Sequence, residues 1–332
     1  MGIWRGWRGI EGQEMTHGLY EMDTVIPKMK AFVYSESEIM RVSGFTPDQI
    51  ERARVRIIPQ FEPTSNVDEA DFFWFPIDLG HWEAYHGGVR AIWQGAQKLA
   101  HWQGNEARHV FYFCSDGADP VDIPSIMFRQ SFYTLTKDVN AVAWPYAVDD
   151  FGDLVTGDFD SLPYDVSFVG SRVSHKCRME SFDSMKDTPI IKTYLYDSKL
   201  HWGKIENTPV GMQWRVLFIE SLGGSKMVLA PRGGGLSSYR FFEAMSAGRV
   251  PILIADDWEL PCKDLIEWDK CMIQIPESEA RRAGPFLIKR LKGVGNRDLA
   301  EMGLSAYAAW RSYLSPDVWP EMMTWRIERL LR

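Results

Sequence analysis

The stretch MVLAPRGGGLSSYRFFEAMSAGRVPILIADDWEL, residues 227–260, reads as strand, glycine loop, helix, strand and acidic loop. Met227 to Ala230 is a short apolar run stopped by Pro231, the pattern of a buried strand. Arg232 and three glycines, Gly233, Gly234 and Gly235, follow. Without Cβ atoms, such a backbone can approach a ligand closely. Ser237 stands where a helix N-cap belongs, and Gly248 closes the helix as a C′ residue. Val250 to Ala255 is a second apolar run, ending at Asp256-Asp257. Bare amides opening a helix, with an arginine beside them, suit an anion such as a diphosphate.

The same alternation extends in both directions. Upstream, Val166–Val169 reads as a strand ending in Gly170-Ser171-Arg172, followed by a helix to about Met185, a strand over 189–195 and a helix over 211–221. Downstream come a short strand at 271–275 and helices over 297–313 and 320–331. In the first half, residues 29–35, 71–77, 110–114 and 141–145 read as strands, with helices over 47–56 and 88–102. Strands alternating with helices predict parallel sheets with crossovers. The expected fold class is α/β, two Rossmann-like domains facing across a cleft. The acidic segment 146–163, with Gly152, Gly157 and Pro163, sets the expected boundary near 160. That gives an N-terminal domain of 1–160 and a C-terminal domain of 161–332, whose last helix is free to pack back on the first.

The 332 residues carry a formal net charge of -8 with no long basic run, which disfavours nucleic acid as a partner. Hydrophobic residues at 45% and charged residues at 25% describe a globular chain. Cys114, Cys177, Cys262 and Cys271 show no CxxC pair, so reduced thiols are expected, although separation alone permits a Cys262–Cys271 bridge. No stretch approaches the ~20 apolar residues of a membrane span, nor is there a signal-peptide core. The expectation is a soluble, cytoplasmic protein. Ile3, Trp4 and Trp7 with Arg5 and Arg8 leave peripheral contact with the inner face of a membrane open.

Neither GxGxxG nor GxxxxGK[ST] fits the glycine loop. The helix after it is more informative. At ~100° per residue, Phe241, Phe242 and Met245 share one side, while Arg240 and Glu243 share the other, near Ser237. A carboxylate there suits the two hydroxyls of a ribose, and Ser237, the loop amides and Arg232 or Arg240 suit diphosphate charge. A solvated face with a surface Arg240–Glu243 pair accounts for the same spacing equally well.

Several segments together closely resemble the exostosin family of glycosyltransferases. They are Phe168-Val-Gly170 with Arg178, Leu229-Ala-Pro-Arg232-Gly, Ser238-Tyr-Arg240-Phe-Phe-Glu243-Ala, Gly248-Arg-Val-Pro251-Ile-Leu-Ile, Asp256 or Asp257, Leu260-Pro261 and Ile266-Glu-Trp268. The resemblance is ordered from about 165 to 279. It implies a GT-B fold, a nucleotide-sugar donor held by the C-terminal domain, and inverting transfer that requires no metal or other cofactor. By position, Arg232, Ser238, Arg240 and Glu243 match the donor-side motif, and Gly170, Arg178, Gly233, Gly234 and Ser237 stand beside it. Residues 70–76 and the Asp116 loop resemble weaker N-terminal landmarks. Cys262 replaces the usual Phe after Leu-Pro, and the membrane anchor of Golgi-resident members is missing from the sequence, so a bacterial or viral cytoplasmic enzyme is the expected type.

Inverting transfer needs a base for the acceptor hydroxyl. Strand-end loops of the first domain carry Asp78, His81, Glu83, His86, Asp116 and Asp119, of which Asp78, His81, His86, Asp116 and Asp119 are the candidates. Asp116 is the first choice because it follows a strong strand and matches a landmark; Asp78 is second and His81 third. Asp256-Asp257 is the only DxD-like acidic pair following a strand and would bind a divalent ion if the reaction used one. The expected function is transfer of a sugar, from a UDP-sugar most plausibly, to an oligosaccharide or lipid-linked glycan in surface polysaccharide, lipopolysaccharide or capsule synthesis. A catalytically silent relative binding nucleotide or glycan as a scaffold is the reading from another class, and an epimerase or hydrolase is a further enzymatic one.

Overall fold

The structure is a computed structural model that describes residues 28–86, 88–117, 121, 123–134, 140–199 and 208–332. The N-terminal half is one sheet of six parallel strands: β1 (Lys30–Val33), β2 (Glu62–Pro63), β3 (Phe72–Asp78), β4 (His109–Phe113), β5 (Ile126–Arg129) and β6 (Ala141–Ala143). Its order is β2-β1-β3-β4-β5-β6. The helices are α1 (Glu36–Ser43), α2 (Pro47–Ala53), α3 (Leu79–His86) and α4 (Val89–Ala96). β3 is apolar without alternation because both of its faces are covered: Phe72 and Trp74 join one core, Phe73, Phe75 and Ile77 the other. The α2 helix begins with the proline expected, under a capping box of Thr46 and Gln49. Four features of this half were not foreseen: strands β2 and β5, helix α1, and helix α3 where a loop was expected.

The second half contains β7 (Tyr164–Gly170), α5 (Lys176–Lys186), β8 (Thr193–Asp197), α6 (Pro209–Gly224), β9 (Ser225–Pro231), α7 (Tyr239–Ser246), β10 (Val250–Ile254) and β11 (Ile273–Gln274). These strands form a parallel sheet in the order β11-β10-β9-β7-β8. Helices α8 (Ala283–Arg290), α9 (Asn296–Ala309) and α10 (Trp319–Leu331) complete the chain. Phe241, Phe242 and Met245 of α7 are fully buried, as their spacing requires. Arg249, also buried, donates to the carbonyls of Leu222, Ala247 and Leu154 at 2.8, 3.2 and 2.7 Å, tying α6, the turn after α7 and the inter-sheet segment together. Burial alone pushes its pKa down to about 10.

Two doubly wound parallel sheets make this the GT-B layout. Their carboxyl ends meet. Thr134 N donates to Asp257 O at 2.8 Å, Glu259 N to Phe132 O at 3.1 Å and Trp258 Nε1 to Gln130 O at 3.3 Å, so the loop after β5 is laced to the loop after β10. α10 crosses back to the first sheet: Gln60 N donates to Thr324 Oγ1 at 2.7 Å, and the Trp144 and Trp319 rings sit 5.6 Å apart. One apolar core runs through both halves, from Phe72 and Trp144 to Phe242 and Trp310. All four cysteines are free thiols, so Cys262 and Cys271 are unbridged.

Candidate functional site

Each sheet has a topological switch point, where neighbouring strands are reached in opposite directions. In the second sheet it lies between β7 and β9, whose ends are Gly170 and Pro231. Arg240 does not face solvent there, contrary to the helical-wheel expectation. Its guanidinium turns inward, donating to Val169 O from Nε at 2.8 Å and Nη2 at 2.6 Å, and covers the Phe168 ring at 5.0 Å. A long side chain can leave the direction its Cβ sets. Gly170 has φ +152, and a Cβ there would lie 1.9 Å from Arg240 Nη2. Its glycine therefore makes room for an arginine. Arg178 mirrors this on the other strand, donating from Nη2 to Pro231 O at 2.9 Å and from Nη1 to Ser171 O at 3.3 Å. Burial first, then the charge of Arg240, brings Arg178 down to about 9. Among the described residues neither guanidinium is ion-paired, so the switch point is a desolvated, net-positive corner.

Glu243 lies at the edge of this corner, recessed with its side chain 16% exposed. It forms no close pair with Arg240. Its nearest cation is Arg215 of α6, with Nη1 3.8 Å from Oε1, and Arg215 also pairs with Asp149. Burial raises the Glu243 pKa, with Arg240 and Arg215 opposing.

The helix cap falls one residue later than expected: Ser238, not Ser237, is the N-cap of α7, and its side chain makes no capping bond. Ser237 Oγ, Ser238 Oγ, Arg178 Nε and Arg232 Nε are all buried and, among the described residues, have no hydrogen-bond partner. Four such atoms around one loop depart from the rule that buried polar groups are paired, and they leave hydroxyl and guanidinium donors to spare. Arg232 reaches Glu277 Oε1 at 3.3 Å, and Glu277 is held in place by bonds with Asp256, N to Oδ1 at 3.1 Å and Oε1 from Asp256 N at 3.1 Å. Asp256 is thus occupied as a brace, while Asp257, at φ 56, presents its carbonyl to Thr134. His175, Cys177 and Glu277 bring an imidazole, a thiol and a carboxylate within 4.8 Å, a set able to hold a metal ion. Arg232 already supplies a cation to that carboxylate.

The glycine loop also meets the other domain. A Cβ on Gly235 would lie 2.9 Å from Asp116 O and 2.9 Å from Ser131 Oγ, and one on Gly234 would lie 3.5 Å from Asp116 Oδ2. Leu236 N donates to Ser131 Oγ at 2.9 Å. Gly235 is therefore required by the contact between domains rather than by ligand approach. Asp116 is exposed, and its Oδ1 accepts a 2.7 Å bond from the Tyr146 hydroxyl. Behind it, Ser115 donates to Glu83 Oε2 at 2.8 Å and accepts from Gly117 N at 3.0 Å, which assigns Glu83 to shaping the loop.

Asp78 ends β3, at the switch point of the first sheet. Its Oδ1 accepts from Cys114 N at 2.8 Å and Gly80 N at 2.9 Å, so it starts α3 and joins β3 to β4. Burial pushes its pKa up to about 6, against the pull of those two amides. Asp78 and His81 line a cavity of about 190 Å³ with Arg52, Tyr112, Ala147 and Trp319. Tyr239, the first residue of α7 and 49% exposed, stands between the two walls, within electrostatic reach of Asp78, Asp116 and Glu243. The structure thus gathers Arg178, Arg232, Gly233, Gly234, Ser237, Ser238, Arg240 and Glu243 on one wall and sets Asp116 against them. Asp119, the side chain of His86 and the arm bearing Trp4 and Trp7 lie outside the described residues. Tyr146, Ser131, His175, Arg215 and Glu277 were not foreseen, because each matters through a partner distant in sequence.

The fold and this two-walled site define an α/β protein of GT-B layout with a desolvated, positively charged corner in its second domain. Residues 167–291 match the Exostosin GT47 domain. The chain is 34% identical to the Exostosin-1 homolog of Caenorhabditis elegans over 95 residues, which are 29% of this chain and 24% of that protein. It is 40% identical to Exostosin-1c of Danio rerio over 55 residues, 17% of this chain and 8% of that one. It thus spans only a minor part of these relatives' lengths. Among solved structures, a glycosyltransferase from Rickettsia africae is similar at TM-score 0.45 and 9% identity, covering 92% of this chain and 99% of that one. Anabaena Alr3699/HepE in complex with UDP and glucose is similar at TM-score 0.43 and 10% identity, covering 91% and 100%.

Proposed function

We propose that the chain is a glycosyltransferase that takes a sugar from a nucleoside diphosphate, UDP first among the candidates, and passes it to a glycan hydroxyl with inversion. The observation that carries this reading is the set of four unpartnered buried atoms, on Ser237, Ser238, Arg178 and Arg232, around a helix N-terminus and a glycine loop. Together they offer hydroxyl and guanidinium donors to a diphosphate, in a corner where water screens little. Glu243, recessed beside them, fits the ribose hydroxyls. The UDP found in the Anabaena neighbour is consistent with the nucleotide.

In the proposed reaction the acceptor hydroxyl gives its proton to Asp116 Oδ2 while its oxygen bonds to the anomeric carbon. The bond from that carbon to the diphosphate oxygen breaks, and the electron pair leaves with the diphosphate. Fixed donors stabilise that growing charge, a role the Ser237–Ser238 amides and the arginines can fill without a metal. The cavity beside Asp78 and His81 is the proposed seat of the acceptor. Thermal shift against UDP, GDP and CMP tests the nucleotide: stabilisation by UDP above the others is expected, and no response to any of them would refute a donor site. Release of UDP from UDP-sugars, with and without oligosaccharide, then separates transfer from hydrolysis and from a silent scaffold.

A further inference from the structure

We infer that Tyr146 is a positioning residue that aims the Asp116 carboxylate at the donor loop; the inference rests on the reading of Asp116 as the base. Tyr146 follows β6, at the seam between the halves, and is buried. Its hydroxyl donates to Asp116 Oδ1 at 2.7 Å, a short, charge-assisted bond. Asp116 is an exposed side chain on a loop, and among the described residues this is the hydrogen bond that fixes its χ1 and χ2. Holding Oδ1 leaves Oδ2 as the oxygen that faces Gly234, 3.5 Å from where a Cβ there would stand. Tyr146 thus selects which oxygen receives the proton and where it points.

The tyrosine is itself gripped by the donor domain. Its ring stacks on Tyr239 with centroids 4.0 Å apart at 18°, and meets Phe242 edge-on at 6.3 Å. Both partners belong to α7, the helix whose N-terminus forms the anion corner. The hydroxyl also lies within reach of Ser237. Base, tyrosine and donor helix form one chain of contacts across the domain boundary, so the carboxylate is aimed by the same helix that holds the diphosphate.

Tyr146→Phe keeps the ring and both aromatic contacts while removing the hydroxyl. Turnover is read as UDP release from the best substrate of a panel of UDP-sugars, and binding as UDP affinity by calorimetry. The expected result is a kcat at least tenfold lower, with the donor KM and UDP affinity within about twofold of the parent. Adding Tyr146→Phe to Asp116→Asn should cost nothing further, since the group being aimed is gone. Tyr146→Phe with a parental kcat, beside an inactive Asp116→Asn, would overturn the positioning role alone. A fully active Asp116→Asn would overturn the base reading and the positioning role together. A loss in UDP affinity equal to the loss in kcat would make Tyr146 a structural residue of the donor corner.

Discussion

Replacing Gly170 with alanine tests whether the glycine serves the ligand or the protein. The added Cβ would stand 1.9 Å from Arg240 Nη2 and 2.6 Å from its Cζ. The new Cβ is fixed by the β7 backbone, whereas the guanidinium ends a flexible side chain, so Arg240 must leave. It then loses two bonds to Val169 O, at 2.8 and 2.6 Å. A charged hydrogen-bond pair of this kind contributes about 2–3 kcal/mol net, and holding a non-glycine residue at such a φ costs about 1–3 kcal/mol more. The sum, roughly 4 kcal/mol, corresponds to a fall of about 8–16 °C in the melting of a domain this size. Calorimetric scanning of four proteins, parent, Gly170→Ala, Arg240→Ala and the double variant, isolates the clash. With Arg240 already removed, Gly170→Ala should cost only the backbone strain. An equal fall in both backgrounds, or a stable Gly170→Ala that has merely lost UDP affinity, would refute the reasoning and return the glycine to the ligand.

Other consequences are as direct. Glu243→Gln should lower UDP affinity by about 10- to 100-fold, the loss of a charged hydrogen bond. The same change should raise the melting temperature at neutral pH. Burial lifts the folded-state pKa of Glu243, so its contribution to stability is present at low pH and lost as pH rises; calorimetry without nucleotide checks this sign. Asp78→Asn keeps an oxygen for the Cys114 and Gly80 amides. With a folded pKa near 6, Asp78 contributes stability fully below the ordinary aspartate range and loses it as pH rises through about 6. The asparagine variant should therefore be the more stable above pH 6, by at most about 3 kcal/mol, in urea melts at pH 4 and 8. Arg249→Met should destabilise by about 3–5 kcal/mol, because three backbone carbonyls at 3.2 Å or closer lose a buried donor; an unchanged urea midpoint would contradict it.

The long apolar runs made the sheets legible. Segment 71–77 and the pair 227–230 and 250–255 have no alternative to buried strands, and the helix between the latter two follows from Phe241, Phe242 and Met245. β5 escaped because its apolar run, Ile126 to Phe128, is broken at once by Arg129, Gln130 and Ser131, polar residues that the fold nonetheless buries. Helix α3 escaped because it begins directly after Asp78, the last strand residue, whose carboxylate serves Gly80 N in place of a recognisable cap. In the site, residue identity on the donor wall was legible, but the direction of Arg240 was not. Helical spacing fixes where Cβ points and leaves four torsions undecided. Tyr146 and Ser131 carried no signal at all, since a tyrosine before an acidic linker gains meaning only when Asp116 is brought to it from 30 residues away.

The glycine loop, first read as bare backbone awaiting a phosphate, divides its three residues between two tasks. Gly235 is spent on the Asp116 backbone and Ser131, and Leu236 N is already bonded to Ser131. What is left for an anion is Gly233 and Gly234, the two serine hydroxyls and the first turn of α7. The loop is flanked by orphaned side-chain donors, Arg232 Nε before it and the Ser237 and Ser238 hydroxyls after it. It also ties the two walls together. The backbone that carries Asp116 is clamped by Ser131 and Gly235, its carboxylate by Tyr146, and Tyr146 by α7. In this structure the proposed base and the proposed diphosphate grip are held by one set of contacts, so a substitution at the seam should change the chemical step before it changes nucleotide binding.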